Sequence, residues 1–387
     1  MINNKSNILM HQIEVFFFKL CVNLLLMNLF YVFQLHIVMA DFKLTGGHTS
    51  SVLCVNTQKQ SGQIVSGGED GKLCVWTPEG KLATSVERPD SCCTSAIFSS
   101  DNPNIVYAAF GEEILVLDIT RSPHPIHTFE SNTDEINQLD YDFKERYLGA
   151  CDDSGEVKIY SIQDKKVFKT LRHKHTNICS TIAFRPGRPW EIISGGLDCQ
   201  FVHWDFSKAK CLNQFNTQKL FPTPGESPHM INPPFVHHIA SSPIGTQIAC
   251  ALENGQIPIL DCSKKHLKPV YTLLAHTQGV SQVHFLNENT LISSGNDSCI
   301  HEWDLTKSNL YDQNVDSSSG NEESSSSGNE ASSSSGNEER ASEISSLCRK
   351  RTIQRNGKIN WLSIDSKDAH QRLLVADDTS EIDVINL

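Results

Sequence analysis

Three stretches decide the fold: Ile64-Val65-Ser66-Gly67-Gly68-Glu69-Asp70, Ile192-Ile193-Ser194-Gly195-Gly196-Leu197-Asp198 and Leu291-Ile292-Ser293-Ser294-Gly295-Asn296-Asp297. Each is followed by a second β-rich run that ends in tryptophan: Trp76, then Trp204-Asp205, then Trp303-Asp304. In every copy the Asp stands four residues after the Ser and six before the Trp. A histidine lies 21 to 23 residues ahead of each Asp, at His48, His175 and His276. A short unit of this kind cannot bury its apolar face alone, so the pattern predicts an array of stacked units.

Four weaker copies extend the array when the Trp position is used as a ruler: Leu117-Asp118, Tyr160-Ser161, Leu260-Asp261 and Ile385-Asn386. From Trp76 onward the intervals are 41, 43, 44, 56, 43 and 82 residues. The 56-residue interval holds Phe215–Pro234, whose prolines at 222, 224, 228, 233 and 234 predict a loop. The 82-residue interval holds a serine-rich insert, and removing residues 307–350 leaves 38. Every interval then fits a four-stranded blade of about 40–45 residues. The expected fold is all-β, a seven-bladed propeller over residues 39–387. The last copy stops at its third strand, and Asp41–Thr45 precedes the first repeat without a partner. The N-terminal strand is expected to close the ring and so remove two exposed sheet edges.

These residues closely resemble the WD-repeat family. A Gly-His (here Gly47-His48, Lys174-His175 and Ala275-His276) opens each unit of that family, and Trp-Asp closes it. The resemblance implies hydrogen-bonded tetrads of His48, Ser66, Asp70 and Trp76; of His175, Ser194, Asp198 and Trp204; and of His276, Ser293, Asp297 and Trp303. It also implies a non-catalytic scaffold for other proteins. Some members are substrate receptors of cullin-4 ubiquitin ligases and carry a Trp-Asp-x-Arg signature for the adaptor. Here Trp204-Asp205-Phe206-Ser207 and Trp303-Asp304-Leu305-Thr306 lack that Arg, and Lys208 and Lys307 follow one residue later. Asp205, Asp304 and a basic patch of Arg185, Arg188 and Lys208 are therefore the candidate partner-binding residues. A histone- or peptide-reading propeller in a nuclear complex is the alternative, and an acidic loop face would favour it.

The chemistry of other function classes is missing from the sequence. It has no Gly-rich phosphate loop, no G-x-S-x-G, no H-E-x-x-H and no Cys/His spacing for zinc, so a propeller-fold enzyme is the least favoured reading and no cofactor is expected. His124-Pro125-Ile126-His127 reads as a loop beside prolines. A repeated His-Asp-Ser set at fixed spacing is architecture, where an active site occurs once. The net charge of −12 argues against nucleic acid as the main ligand. None of the 13 cysteines forms a C-x-x-C pair and most sit singly in apolar runs, which predicts reduced, buried thiols. The expected compartment is cytoplasmic, nuclear or both.

Two segments fall outside the repeat pattern. Residues 20–38 form a largely apolar run, about 28 Å long as a helix and close to the roughly 30 Å of a bilayer core. The run contains Asn23, Asn28, Gln34 and His36, and the fold begins directly after Met39-Ala40-Asp41. Residues 1–38 are read as an upstream extension that the propeller does not need, with a membrane anchor or a signal peptide as the other readings. Within the insert, residues 317–339 repeat SSSSGNE with nothing apolar to bury, and the insert is expected to be disordered. Its Ser319, Ser327 and Ser335 each precede a Glu by three residues, a pattern that resembles acidic kinase sites. Arg349-Lys350-Arg351 with Arg355 is a candidate nuclear import signal.

Overall fold

A computed structural model describes residues 41–121, 124–220, 233–264, 267–308, 333–365 and 371–387. The apolar run at 20–38 and the phosphosite candidates Ser319 and Ser327 lie outside these residues. No helix among the described residues is long and apolar enough to cross a membrane.

The strands from Phe42 to Asn386 form seven antiparallel four-stranded sheets. Strands are lettered a to d outward within each blade. The a strands are Val52–Thr57, Cys93–Phe98, Ile136–Tyr141, Cys179–Phe184, Val236–Ser241, Val280–Asn287 and Ile359–Asp365. Each a strand packs beside those of the two neighbouring blades, which places all seven around one central axis. The four weaker copies also form blades, with c strands at Glu113–Asp118, Val157–Ser161, Gln256–Asp261 and Ile382–Asn386. The chain closes the ring on itself. Phe42–Leu44 pairs antiparallel with Ile382–Asn386, in the register Phe42 to Val384 and Leu44 to Ile382, and becomes strand d of blade 7.

The b and c strands are apolar on both faces because each blade is covered by another on either side. Ile192 to Gly196 and Phe201 to Trp204 are all buried, as are Ile64 to Gly68. The d strands read as polar because they face solvent, as in the half-exposed Lys166–Leu171. Between blades, side chains at the a–b turns act as pins. Gln58 Nε2 donates to the Ser99 carbonyl, and Glu145 accepts from Ser100 N–H, Asp101 N–H and Tyr107 Oη. Arg372 Nη1 reaches from blade 7 to the Pro78 carbonyl in blade 1. On the same face, Glu288 at the a–b turn of blade 6 accepts from the hydroxyls of Ser242 and Thr246 at the a–b turn of blade 5.

The insert needs a boundary correction. It leaves after strand c of blade 6, through the short 3-10 turn Leu305–Lys307, and the chain returns as strand d of the same blade, Arg349–Gln354. The stretch expected to lie outside the ring through residue 350 is therefore shorter. Helix α1, Ser333–Cys348, precedes that strand and places Ile344 and Cys348 in the core of blades 5 and 6, beside Ala275 and Trp303. The Ser345 hydroxyl accepts from Leu274 N–H on strand d of blade 5 at 2.7 Å. Strand d of blade 6 was missed because its only apolar residue is Ile353, and an outer strand carries no alternation to read. The import signal needs the same correction. Lys350 and Arg351 both pair with Glu302, Arg355 pairs with Asp383, and Arg349 stacks on Trp303. These cations are held in a sheet, where an import signal requires a free, extended segment.

A deletion series tests the boundary. Removing residues 312–332 shortens a connection whose closure entropy grows slowly with length, so melting should be unchanged or slightly raised. Removing residues 312–348 exposes the core that Ile344 and Cys348 cover and should cost about 2–3 kcal/mol. Equal melts for the two deletions would show that α1 contributes nothing to the ring.

Candidate functional site

The three complete repeats bring their four residues together. In blade 1, His48 Nδ1 lies 3.1 Å from Asp70, its Nε2 lies 2.8 Å from Ser66 Oγ, and Trp76 Nε1–H donates to that hydroxyl at 2.9 Å. The blade 4 distances for His175, Asp198, Ser194 and Trp204 are 3.1, 2.8 and 2.9 Å. In blade 6, His276, Asp297, Ser293 and Trp303 meet at 2.9 Å throughout. Each Asp also accepts backbone N–H groups on both sides of its turn, as Asp198 does from Thr176 and Gln200. Burial alone would raise these carboxyls, but the His and backbone donors outweigh it and hold Asp70, Asp198 and Asp297 below the usual range. The glycine that follows the Ser-Gly run cannot be replaced, since a Cβ on Gly196 would sit 2.6 Å from the Ile178 carbonyl and 2.9 Å from His175 Nδ1. His301 adds an imidazole whose ligand atoms lie within 4.8 Å of those of His276 and Asp297, yet both His276 nitrogens are already engaged and His301 Nδ1 contacts Thr352.

Blade 3 has a fourth network that repeat spacing did not reveal. Tyr160 stands in the Trp position, and its hydroxyl donates to Asn132 Oδ1. Asn132 Nδ2 donates to Asp152 at 2.8 Å, and the buried Lys158 ammonium meets Asp152 at 3.1 Å and Glu156 at 2.8 Å. The available signal was Asn132 lying 20 residues ahead of Asp152, close to the His-to-Asp spacing.

The central axis opens on the face that carries the d–a loops and b–c turns. Side chains at the second position of the a strands ring this mouth and bond to the next blade. Thr94 Oγ1 donates to the Ile136 carbonyl, Asn137 Nδ2 to the Cys179 carbonyl, Ser180 Oγ to the Val236 carbonyl, and Asn360 Nδ2 to the Val52 carbonyl. One residue deeper, side chains accept the next blade's N–H: Ser95 from Leu139, Gln138 from Ile182, and Thr181 from Ile239. Within this ring lies a cavity of about 310 Å³ lined by Leu53, Asn137, His237, Gln282, Lys358 and Trp361, among others. Its rim is acidic. Glu69, Asp153, Glu253 and Asp378 each follow strand b of blades 1, 3, 5 and 7, with Glu112 and Glu135 between them. Burial, together with Asp153 and Asp134, raises the Glu135 carboxyl. His237 holds Glu253 at 2.6 Å, and that hydrogen bond keeps the carboxyl low. Gln282 Oε1 and Asn296 Oδ1 are buried acceptors with no partner among the described residues. The mouth thus gathers carboxylates and two unpartnered acceptors around a cavity that the exposed Lys358 also lines.

Below the mouth, His238 and His284 face one another at 4.9 Å between ring centres. Burial lowers His238 well below its ordinary value, with His284 adding to the effect, and burial pushes His284 to about 4. A folded value below the unfolded one, about 6.5, means the unfolded chain binds protons first as pH falls. The stability these imidazoles support is full above about pH 6.5 and is lost progressively toward pH 4. Urea melts at pH 7.5 and 5.0 should show the loss, and His284→Gln should remove part of the difference. A variant with the same pH slope would exclude His284 as a source.

The partner-patch residues are only partly where the sequence put them. Arg185 is a correction: it is 3% exposed and bonds within the fold to Glu191 and to the Cys262 carbonyl of blade 5. The a–b turn bends inward at that residue, so no docking partner can reach it. Arg188 and Lys208 are exposed, the latter 3.4 Å from Asp205. Asp205 and Asp304 cap their own turns, accepting from the Ser207 hydroxyl and from Thr306. Ser335 falls within helix α1. His127 lies on strand d of blade 2, with its ring edge-on to Phe129, where the sequence predicted a loop.

Seven sheets of this order, locked by His-Ser-Asp-Trp tetrads, define a WD-repeat β-propeller. The WD domain, G-beta repeat model matches residues 41–77 and 267–304. The chain is 32% identical over 289 residues, 67% of its own length and 77% of the relative's, to the WD repeat-containing protein 53 homolog of Dictyostelium discoideum. The chain therefore belongs to the WD-repeat family, and within it is similar to WD repeat-containing protein 53. Stretches such as CDDSGEVKIY (151–160) and HTNICSTIAFRPGRP (175–189) carry that finer resemblance. It is also 22% identical over 291 residues to human ribosome biogenesis protein BOP1, covering 65% of this chain and 37% of that protein. A 22% match over 153 residues, 48% of the relative, joins it to target of rapamycin complex subunit wat1 of Schizosaccharomyces pombe. A WD-repeat propeller fits a scaffold for protein interactions.

Proposed function

We propose that the chain is a non-catalytic scaffold that reads basic peptide segments, such as those of histones, at the mouth of its central axis. The acidic rim around an acceptor-lined cavity is the observation that carries this reading. An arginine or lysine side chain supplies N–H donors and positive charge to the rim carboxylates and to the unpartnered Gln282 and Asn296 oxygens. The rim carboxylates Glu69, Glu135 and Asp378 are exposed, so changing them alters binding with little effect on the fold. Titration calorimetry of the full chain with an Arg/Lys-rich peptide should show binding that weakens with salt. Glu69→Gln, Glu135→Gln and Asp378→Asn together should reduce affinity about tenfold or more, a loss near 1.4 kcal/mol. Equal affinity in the triple variant would exclude the rim.

A second reading, as a substrate receptor of a cullin-4 ligase, is supported by Trp204-Asp205 ending strand c of blade 4 beside the exposed Arg188 and Lys208. With Arg185 unavailable, Arg188→Glu with Lys208→Glu is the direct test. Undiminished recovery of the cullin-4 adaptor would reject docking through these cations, and no recovery by the wild type would remove this reading.

A further inference from the structure

We propose that the face opposite the mouth carries a second docking surface, on the a–b turns of blades 3, 4 and 5, for an acidic segment of another protein that bears aromatic or aliphatic side chains. This inference rests on neither reading above, and it shares the exposed Arg188 and Lys208 with the second of them. Among the described residues, Phe143 is 82% exposed, Ile244 70% and Trp190 38%, and each sits on the a–b turn of one of these consecutive blades. The other exposed large apolar residues, Leu82, Ile126, Val270 and Leu347, are scattered on outer strands and on α1.

The three turns form one continuous surface. The Arg146 guanidinium, on the Phe143 turn, lies 5.5 Å over the Trp190 ring of the next blade. The Pro186 carbonyl of blade 4 approaches blade 5 so closely that a Cβ on Gly245 would meet it at 2.5 Å. Arg185 ties the same two turns from below through the Gly245 carbonyl.

Charge selects the partner. Among the described residues of the a–b and c–d turns of these blades, the exposed cations are Lys144, Arg146, Lys165, Arg188, Lys208 and Lys264, against one exposed carboxylate, Asp164. The remaining carboxylates are turned inward as acceptors. Asp142 takes the Arg146 and Tyr147 N–H groups, Glu145 takes those of Ser100 and Asp101, and Glu191 holds Arg185 and His203. A chain of net charge −12 therefore presents a basic, aromatic-studded surface on these turns. Apolar anchors encircled by cations suit an acidic segment with apolar side chains, in which the anchors give affinity and the charges give orientation and rate.

The probe is a synthetic peptide with glutamates on one helical face and Phe and Leu on the other, titrated into the full chain by calorimetry. Binding is expected, with a loss of about tenfold or more in the Phe143→Ser, Ile244→Ser double variant, whose melt should match the wild type. The same loss is expected when the peptide's Phe and Leu become Ala, and a peptide with Lys in place of Glu should not bind. Absence of binding, equal binding by the double variant, or equal binding of the Lys peptide would overturn the proposal. Binding that appears only after deletion of residues 309–332 would make this chain's own acidic segment the occupant and overturn it as well. None of these substitutions touches the mouth, so failure here is separate from failure of the peptide-reading function.

Discussion

Replacing Trp204 by alanine is expected to destabilise the fold by about 3–5 kcal/mol, more than any other single change in its own tetrad. The indole is 2% exposed and packs with Ile182, Phe184, Ile192 and Phe206 between blades 3 and 4. Its removal leaves a cavity in a sheet core that cannot collapse, because backbone ladders on both sides fix the spacing. It also takes the indole donor from Ser194. Asp198→Ala removes no comparable volume. It strands His175 Nδ1 and two backbone N–H groups and should cost about 1–3 kcal/mol. The Asp carboxyls sit below their unfolded value, so their contribution is present above about pH 4 and lost below it. Denaturant melts at neutral pH should therefore rank Trp204→Ala below Asp198→Ala, and a neutral Trp204→Ala would show that the indole does not hold blade 4.

The second large effect is expected at Asp152. Its side chain is fully buried, and it is the acceptor for Asn132, Ser154 and the Lys158 ammonium, which is itself 3% exposed. Removing one member of a buried ion pair leaves an unpaired charge, and Asp152→Ala should cost about 3–5 kcal/mol. Glu156 stays within 2.8 Å of Lys158 but is partly exposed and replaces only part of the interaction. Adding Lys158→Met removes the stranded charge and should recover a large share of the loss. A double-mutant cycle measures the coupling directly. Additive costs would mean that Lys158 reaches water in the absence of Asp152.

The ring, its seven blades and its closing strand were legible because they depend on spacing and alternation that recur along the chain. Trp76, Trp204 and Trp303 sit at equivalent ladder positions, each opposite the first apolar residue of its b-strand motif, Ile64, Ile192 and Leu291. Features that depend on contacts between blades were not legible. Arg185 reads from the sequence as an exposed cation because a Pro-Gly-Arg-Pro turn is usually a surface turn, and only the fold shows its guanidinium bonded to blade 5. The same holds for Glu145 and Glu288, which accept from turns 45 and 42 residues away in sequence. The acidic mouth gathers Glu69, Asp153, Glu253 and Asp378 from four blades, and no local window contains two of them. Strand d of blade 6 is hidden by its charge, since Lys350 and Arg351 pair with Glu302, Arg349 stacks on Trp303, and none of the three is apolar.

The peptide-reading account is tested most directly by hydrogen–deuterium exchange of the full chain with and without a bound Arg/Lys-rich peptide. The account predicts slowed exchange on the d–a loops and b–c turns around the mouth, in particular at residues 67–71, 133–137, 153–155 and 356–361, and no change at the a–b turns of blades 3 to 5. Protection confined to those a–b turns, or a peptide that binds without slowing exchange at the mouth, would contradict it.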